Sequence, residues 1–379
     1  DFDTDGIPFT DEYVENAFTV RTAAEWDAAC EAIKNGGNNK NYIINVTGTV
    51  TIPGDVATTP NFGGVSGARI VLGGGGSLAL DLSSTRILLR IGTGQTVILR
   101  DITLRGHANG AMVVAMELPN GAFVMHPGAV ITGSTNTISG PGAVYVNKGT
   151  FTMYGGTISN NNTASIASNY GGGVQVTSTG TFTMSGGTIS GNTASSNASN
   201  SACGGGVFVD GGTFTMSGGT VSGNRASASI SVHTLGGGVY MAAGNFAMSG
   251  TAAISGNTTD TGMVSRGGGV YVGGGTFTMS GGEISGNTAP SATADGGGVF
   301  VNSTGAFTKE DTVTPGNSGV IYGDDNNDPD DGNVTDNTTA NGSGHAVYVS
   351  SGFKKRNSTV GAGLNLNSAT GSAGTDPWE

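Results

Sequence analysis

One phrase, GTFTMSGGTISGN, returns along this chain with small variations, and a phenylalanine marks its centre at Phe123, Phe151, Phe182, Phe214, Phe246, Phe277 and Phe307. The intervals are 28, 31, 32, 32, 31 and 30 residues. A period of that length belongs to a solenoid, in which each repeat buries its apolar face only against its neighbours. One unit divides into three short runs, for example GGGVFV from Gly204, GTFTM from Gly212 and GTVSGN from Gly219, followed by a polar loop. Each run alternates apolar with other residues, which is the period of a strand, and glycines stand at the joints. A coil is then three strands and three turns. Stacked coils pair each strand with its copies about 4.8 Å above and below, giving an all-β parallel β-helix.

Glycine supplies 70 of the 379 residues. Each one inside a helix costs about 1 kcal/mol relative to alanine, so a helical globule is excluded. Collagen is excluded too, because the glycines cluster as GG and GGG without a three-residue period. Alternation points three sets of side chains inward. They are Val174/Val176, Val207/Val209, Val239/Met241, Val270/Val272 and Val299/Val301 in the first strand; Phe182/Met184, Phe214/Met216, Phe246/Met248 and Phe277/Met279 in the second; and Ile158, Ile189, Val221, Ile254 and Ile284 in the third. Three residues after each third-strand anchor stands an asparagine: Asn161, Asn192, Asn224, Asn257, Asn287 and, after Val334, Asn337. Asparagine tolerates a left-handed turn and carries both donors and acceptors, so these six are expected to form a structural amide ladder from rung to rung.

Seven segments follow from these patterns. Residues 1–20 form an acidic arm. Residues 21–37 hold a helical cap, with Thr22 and Glu25 as a capping box and Trp26, Cys30 and Ile33 on one face; it is expected to cover the strand edge of the first coil. Residues 38–140 are irregular coils, with strands expected over 42–52, 68–72, 86–91, 96–104 and 112–116. Residues 141–308 are the regular repeats, 309–332 an acidic insertion, 333–366 a final coil and 367–379 a Gly/Ser tail.

A net charge of −12 argues against nucleic acid and anionic membranes as partners. Cys30 and Cys203 are far apart and imply neither a disulfide framework nor a CxxC metal site; Cys30 suits a helix face and Cys203 a loop. No apolar run approaches the roughly 18 residues of a membrane span. With no signal peptide and Asp1 in place of Met, the chain is expected to be a processed product, which leaves an extracellular location open.

The residues GGGVYV, GTFTMSGGTISGN and the capped start FTVRTAAEWDAACEAI resemble the pectate-lyase-like superfamily of right-handed parallel β-helices. More narrowly they are similar to glycine-rich repeat proteins of the surfaces of anaerobic bacteria and spirochaetes, as are KKRNSTVGAGLNLNS and the final WE. The resemblance covers most of residues 18–366. It implies a right-handed solenoid, secreted or on a bacterial cell surface. Lyases, hydrolases, adhesins and structural proteins share this fold, so it does not choose among them.

A polysaccharide lyase or hydrolase needs converging carboxylates, with Arg or Lys in the lyase case. Residues 141–308 carry only Asp210, Asp260, Glu283 and Asp295 against Lys148, Arg225 and Arg266, and no two of the acids share a repeat position. No catalytic residue carries over from the superfamily. Arg100, Asp101, Arg105, His107, Glu117 and His126 form the densest polar group, read as a solvated turn plus surface charges; His233 and His345 are isolated in loops. Asp1, Asp3, Asp5, Gly6 and Glu12 follow D-x-D-x-D-G-x5-E, the spacing that wraps oxygen ligands around Ca²⁺, although Pro8 departs from it. They also resemble the DxDGIPDxxE loops of bacterial calcium-binding repeats, with Phe9 in place of an acid. Asp324, Asp325, Asn326, Asp328, Asp330 and Asp331 offer a second oxygen-rich loop, or a solvated insertion.

The first strand points Tyr145, Gln175, Phe208, Tyr240, Tyr271, Phe300 and Tyr348 outward. Such a column is either an interaction surface or the floor beneath the polar loops. Threonines in the second strand, Thr181/Thr183, Thr213/Thr215 and Thr276/Thr278, form outward ranks broken by Asn245/Ala247; they suit a solvated sheet face better than an ice-binding one. The expectation is a non-catalytic extracellular structural or adhesive protein that self-assembles, its termini and aromatic column engaging neighbouring copies and its arm over residues 1–20, which contains the strand-like AFTV, adding a strand to another subunit's edge; docking of both ends within the chain is the alternative. A carbohydrate-binding adhesin module and a carbohydrate-active enzyme are the alternatives, with glycans or a host or cell surface as the other partners.

Overall fold

The computed structural model describes residues 16–52, 59–81, 87–108, 112–137, 141–164, 169–196, 200–228, 232–260, 263–309, 320–321, 337–339 and 347–349. The chain is a parallel β-helix. The regular coils pass through the same main sheets in the same order. In one coil Thr213–Met216, Thr220–Ser222, Arg225–Ala228, His233–Leu235 and Val239–Met241 follow one another, and each pairs in parallel with its copy in the next coil. The first of these lies in an 11-stranded Phe sheet, the second in a 10-stranded Ile sheet and the last in a 9-stranded Tyr sheet. These are the three strands read from the repeat. The polar loop contributes more than a loop: it makes a 7-stranded turn sheet just after the asparagine and, in four coils, a short cover sheet.

Register places like on like. Phe182 pairs with Phe214, Phe214 with Phe246 and Phe246 with Phe277, while Ile189 pairs with Val221 and Val221 with Ile254. All of these are buried, as are the inward Val and Met columns. The Phe rings stack with centroids 4.5 to 4.8 Å apart from Phe151 to Phe277, within 9° of coplanar. This is the rung spacing itself, so one side-chain rotamer repeats along the axis. Each such ring contributes about 1.5 to 3 kcal/mol by leaving water. The methionine column explains one glycine of the phrase. Gly219 has φ +78°, and a Cβ there would lie 2.6 Å from Met184 Cε and 2.8 Å from the backbone of Gly186. Only glycine allows the coils to approach there.

At the N-terminal end, a helix over Ala23–Asn35 is capped as its sequence requires. Thr22 accepts from the Glu25 amide at 3.2 Å, and Glu25 accepts from the Thr22 amide at 3.1 Å. Trp26, Ala29, Cys30 and Ile33 are buried in one core with Val20, Tyr42 and Val50. Before the helix, Ala17–Val20 pairs in parallel with Asn41–Val46 of the same chain. For this segment of the arm, docking within the chain is therefore the alternative that holds, and AFTV is not free to reach another subunit. Val20 and the half-buried Phe18 line up with Val46 and Ile44, so its inward face completes this chain's own first rung.

Two of the irregular strands are also corrected. The run 42–52 divides into Asn41–Val46 and Thr49–Ile52 around Gly48, with φ +74°, and the run 96–104 into Thr96–Leu99 and Thr103–Arg105 around Asp101, with φ +48°. Each is a corner of the solenoid, where continuous apolar sequence hides a left-handed residue. Within the stretch read as an acidic insertion, Val320–Ile321 forms a further rung of the Ile sheet, with Ile321 opposite Ile284. Thr338–Thr339 and Val347–Val349 continue the turn and Tyr sheets.

Candidate functional site: the ladder, the covered aromatic column and the outer faces

The six asparagines do form a ladder, and its geometry uses every polar atom of the internal amides. Asn224 Oδ1 accepts from both the backbone N–H and Nδ2 of Asn192, each at 3.0 Å. Asn224 Nδ2 donates onward to Asn257 Oδ1 at 3.0 Å and back to the Ile189 carbonyl at 2.9 Å. Two donors and two lone pairs are thus satisfied. The same pattern runs from Asn161 through Asn192 and Asn257 to Asn287, which donates to Asn337 Oδ1 at 2.8 Å. One reason offered for asparagine here needs correction. The left-handed residue is the one before the ladder amide, namely Asn160, Gly191, Gly223, Gly256 and Gly286 before the first five asparagines, with φ between 56° and 63°. Asparagine is needed for its amide, not its φ. The register of the Ile sheet also puts Ser134 and His107 in this column, and the Ser134 amide donates to Asn161 Oδ1 at 3.1 Å. Counting three residues beyond Ile131 and Leu104 would have found both.

The outward aromatic column is covered from within the chain. Phe208 is 3% exposed, Tyr271 6% and Phe300 fully buried, while Tyr240 and Tyr145 are half-buried. The cover sheet lies over them: Tyr170 stacks on Phe208 at 4.4 Å, and the Arg266 guanidinium sits 4.8 Å over the Phe300 ring. Beneath it Phe208, Tyr240, Tyr271 and Phe300 stack at 5.0 to 5.3 Å. Tyr170 fills the break left by Gln175 in the same coil. Of the residues read as an interaction surface, Phe208, Tyr240, Tyr271 and Phe300 therefore belong to a second, covered core. Tyr145 lies before the first cover strand, Asn169–Tyr170, and Tyr348 is described only as a backbone position opposite Phe300. Cys203 is buried in the cover sheet rather than displayed on a loop, and burial pushes its thiol pKa up; that of Cys30 is pushed up to about 12 by the same cause.

Burial also raises the Tyr240 and Tyr271 phenols above their ordinary value of 10.0. Between the unfolded and folded values the native state holds a proton that the unfolded chain releases, so the stability contributed by these two phenols is full below about pH 10 and is lost as pH rises above it. Tyr240→Phe should flatten that alkaline fall, read as urea midpoints between pH 9 and about 12. An identical fall in wild type and variant would assign the alkaline limit to other groups.

The polar group of the early coils does not converge. Arg100, Asp101 and His126 lie at the corner from the Phe to the Ile sheet, Arg105 and His107 at the end of the next strand, and Glu117 beyond the Tyr sheet, bonded to Arg90. His126 is buried and stacks on Tyr154 at 5.4 Å. Two further ion pairs tie coil to coil: Arg225 grips both oxygens of Asp260 at 2.6 and 2.7 Å, and Arg266 meets Asp295 at 3.1 Å. Among the described residues no three His, Cys, Asp or Glu side chains gather as a metal site. Asp1, Asp3, Asp5 and Glu12, and the acidic group 324–331, lie outside the described residues, as does His345.

Two outer features remain. Along the Phe sheet the Thr ranks are half-exposed, as a solvated face requires. At the turns from the Tyr to the Phe sheet an open groove of about 300 Å³ crosses three coils, lined by Asn120, Lys148, Thr150, Thr179 and Thr181. Beside it Thr177 Oγ1 donates to Asn147 Oδ1 at 3.1 Å and lies 3.4 Å from Tyr145 Oη. The chain matches no family model, no curated protein and no solved structure.

Proposed function

We propose that this chain is a non-catalytic structural and adhesive element of a bacterial cell surface, a stiff extracellular rod that assembles with further copies of itself. The observation that supports this reading is the continuous pairing along the axis. Ladder amides from Asn161 to Asn337 and two aromatic stacks repeat the same contact coil after coil, so every interface between these coils is held by the same set of bonds. Calcium held by Asp1, Asp3, Asp5 and Glu12 is part of the proposal, as a stabiliser of the arm. Electron microscopy and sedimentation of the purified protein, with calcium and with EDTA, test it: rods that associate end to end are expected. A monomer at high concentration in both conditions would remove self-assembly, and turnover of a polysaccharide panel would remove the non-catalytic reading.

The groove beside Lys148 favours a second reading, carbohydrate binding. Threonine hydroxyls, the Asn120 amide, one cation and the adjacent Tyr145 are the groups that hold a saccharide carrying a carboxylate or sulfate. Acidic glycans captured on an array by wild type and lost with Lys148→Ala would support it.

A further inference from the structure

The outer face of the Phe sheet changes character along its length. One column reads Ile43, Val71, Ile98, Val124, and then Thr152, Thr183 and Thr215. These side chains point away from the core, since Ile44, Leu72, Leu99 and Met125 occupy the inward positions beside them. The threonines are half-exposed, as outward residues ordinarily are. Val71, Ile98 and Val124 are only 5%, 2% and 8% exposed and form an apolar cluster of their own. Among the described residues, the apolar neighbours packed against it, Ile43 and Tyr154, stand at its two ends. Ile98 lies two rungs, about 9.6 Å, from either end. A side chain in that position, on the solvent side of a sheet, is buried only if something lies across it.

We propose that the cover is the chain's own arm, residues 1–15, laid over the strip formed by Ile43, Val71, Ile98 and Val124. The first argument is where the described chain begins. Ala17 is the next member of this very column, opposite Ile43, so the segment preceding it starts at the end of the strip. Length is the second. Fifteen residues reach about 50 Å when extended, whereas the strip from Ile43 to Val124 spans three rung intervals, about 14 Å. The third is chemistry. The arm carries Ile7, Phe9 and Tyr13 for the apolar strip, and Asp1, Asp3, Asp5, Asp11, Glu12 and Glu15 with no Lys or Arg. The strip is bordered by cations, with Arg69 in the column on one side and Arg100 in the column on the other. The strands RIVLG and TVIL also read as unbroken apolar runs, the pattern of a strand covered on both faces.

Limited chymotrypsin digestion of the full chain in EDTA tests this, with cleavage after Phe9 and Tyr13 compared with a synthetic peptide of residues 1–20. At least tenfold protection is expected in the protein. Ile98→Lys, which alters only the outward face, should restore cleavage to the peptide rate. So should Arg69→Ala with Arg100→Ala, which serves as the reading if circular dichroism shows Ile98→Lys to be misfolded. Cleavage of wild type at the peptide rate, or protection that survives in a folded variant, overturns the proposal. Protection that grows with protein concentration would also overturn it, by placing a second copy's arm on the strip.

Discussion

Replacing Asn224 by leucine is expected to be the most damaging single change in the regular repeats. The side chain makes four hydrogen bonds in a fully buried column, two accepted and two donated. Leucine fills the same space but strands the Asn192 amide and side chain, and withdraws donors from the Ile189 carbonyl and Asn257 Oδ1. At about 1 to 3 kcal/mol per stranded buried group, the loss is on the order of 4 kcal/mol or more. Because each coil contacts only its neighbours, the defect should also broaden urea unfolding by weakening one interface in the middle of the array. Asn245→Ala, on the exposed outer face of the Phe sheet, should change the midpoint by no more than about 0.5 kcal/mol equivalent. Equal midpoints for the two variants would contradict the ladder.

Phe214→Ala comes next. Its ring is fully buried between Phe182 at 4.8 Å and Phe246 at 4.7 Å, and neighbouring rings anchored in their own strands cannot close the gap. A loss of about 3 to 5 kcal/mol is expected from the transfer and cavity terms together. Thr215→Ala, one residue along and facing outward, should cost under about 1 kcal/mol. A similar loss at both positions, measured by thermal or urea denaturation, would mean that inward and outward faces are exchanged.

Much of this was legible in the chain because a solenoid repeats its tertiary contacts at a fixed sequence interval. Phe214 meets Phe182 and Phe246, and Asn224 meets Asn192 and Asn257, at distances along the chain that the repeat itself announces. Alternation then assigned the faces, and the Thr22/Glu25 box marked the helix start. The outward apolar column had a signal as well, the unbroken runs RIVLG and TVIL, but alternation was read only for its inward members.

The fate of the outer aromatics had no such signal. Tyr145, Phe208, Tyr240, Tyr271 and Phe300 look alike in sequence, yet four lie under or within the cover layer and Tyr145 stands before it. That outcome depends on where Tyr170, Cys203, Leu235 and Arg266 arrive from loops of unequal length. The charged residues behaved likewise: Arg225 found Asp260 one coil away, while Arg100, His107 and Glu117 were carried to different corners. By itself, then, the sequence determined the period, the strand phase, the inward columns and the amide ladder, because each follows from nearest-neighbour stacking of near-identical units. Only the tertiary structure decided which outward aromatics are covered and which charges meet, since those contacts join segments that share no common interval.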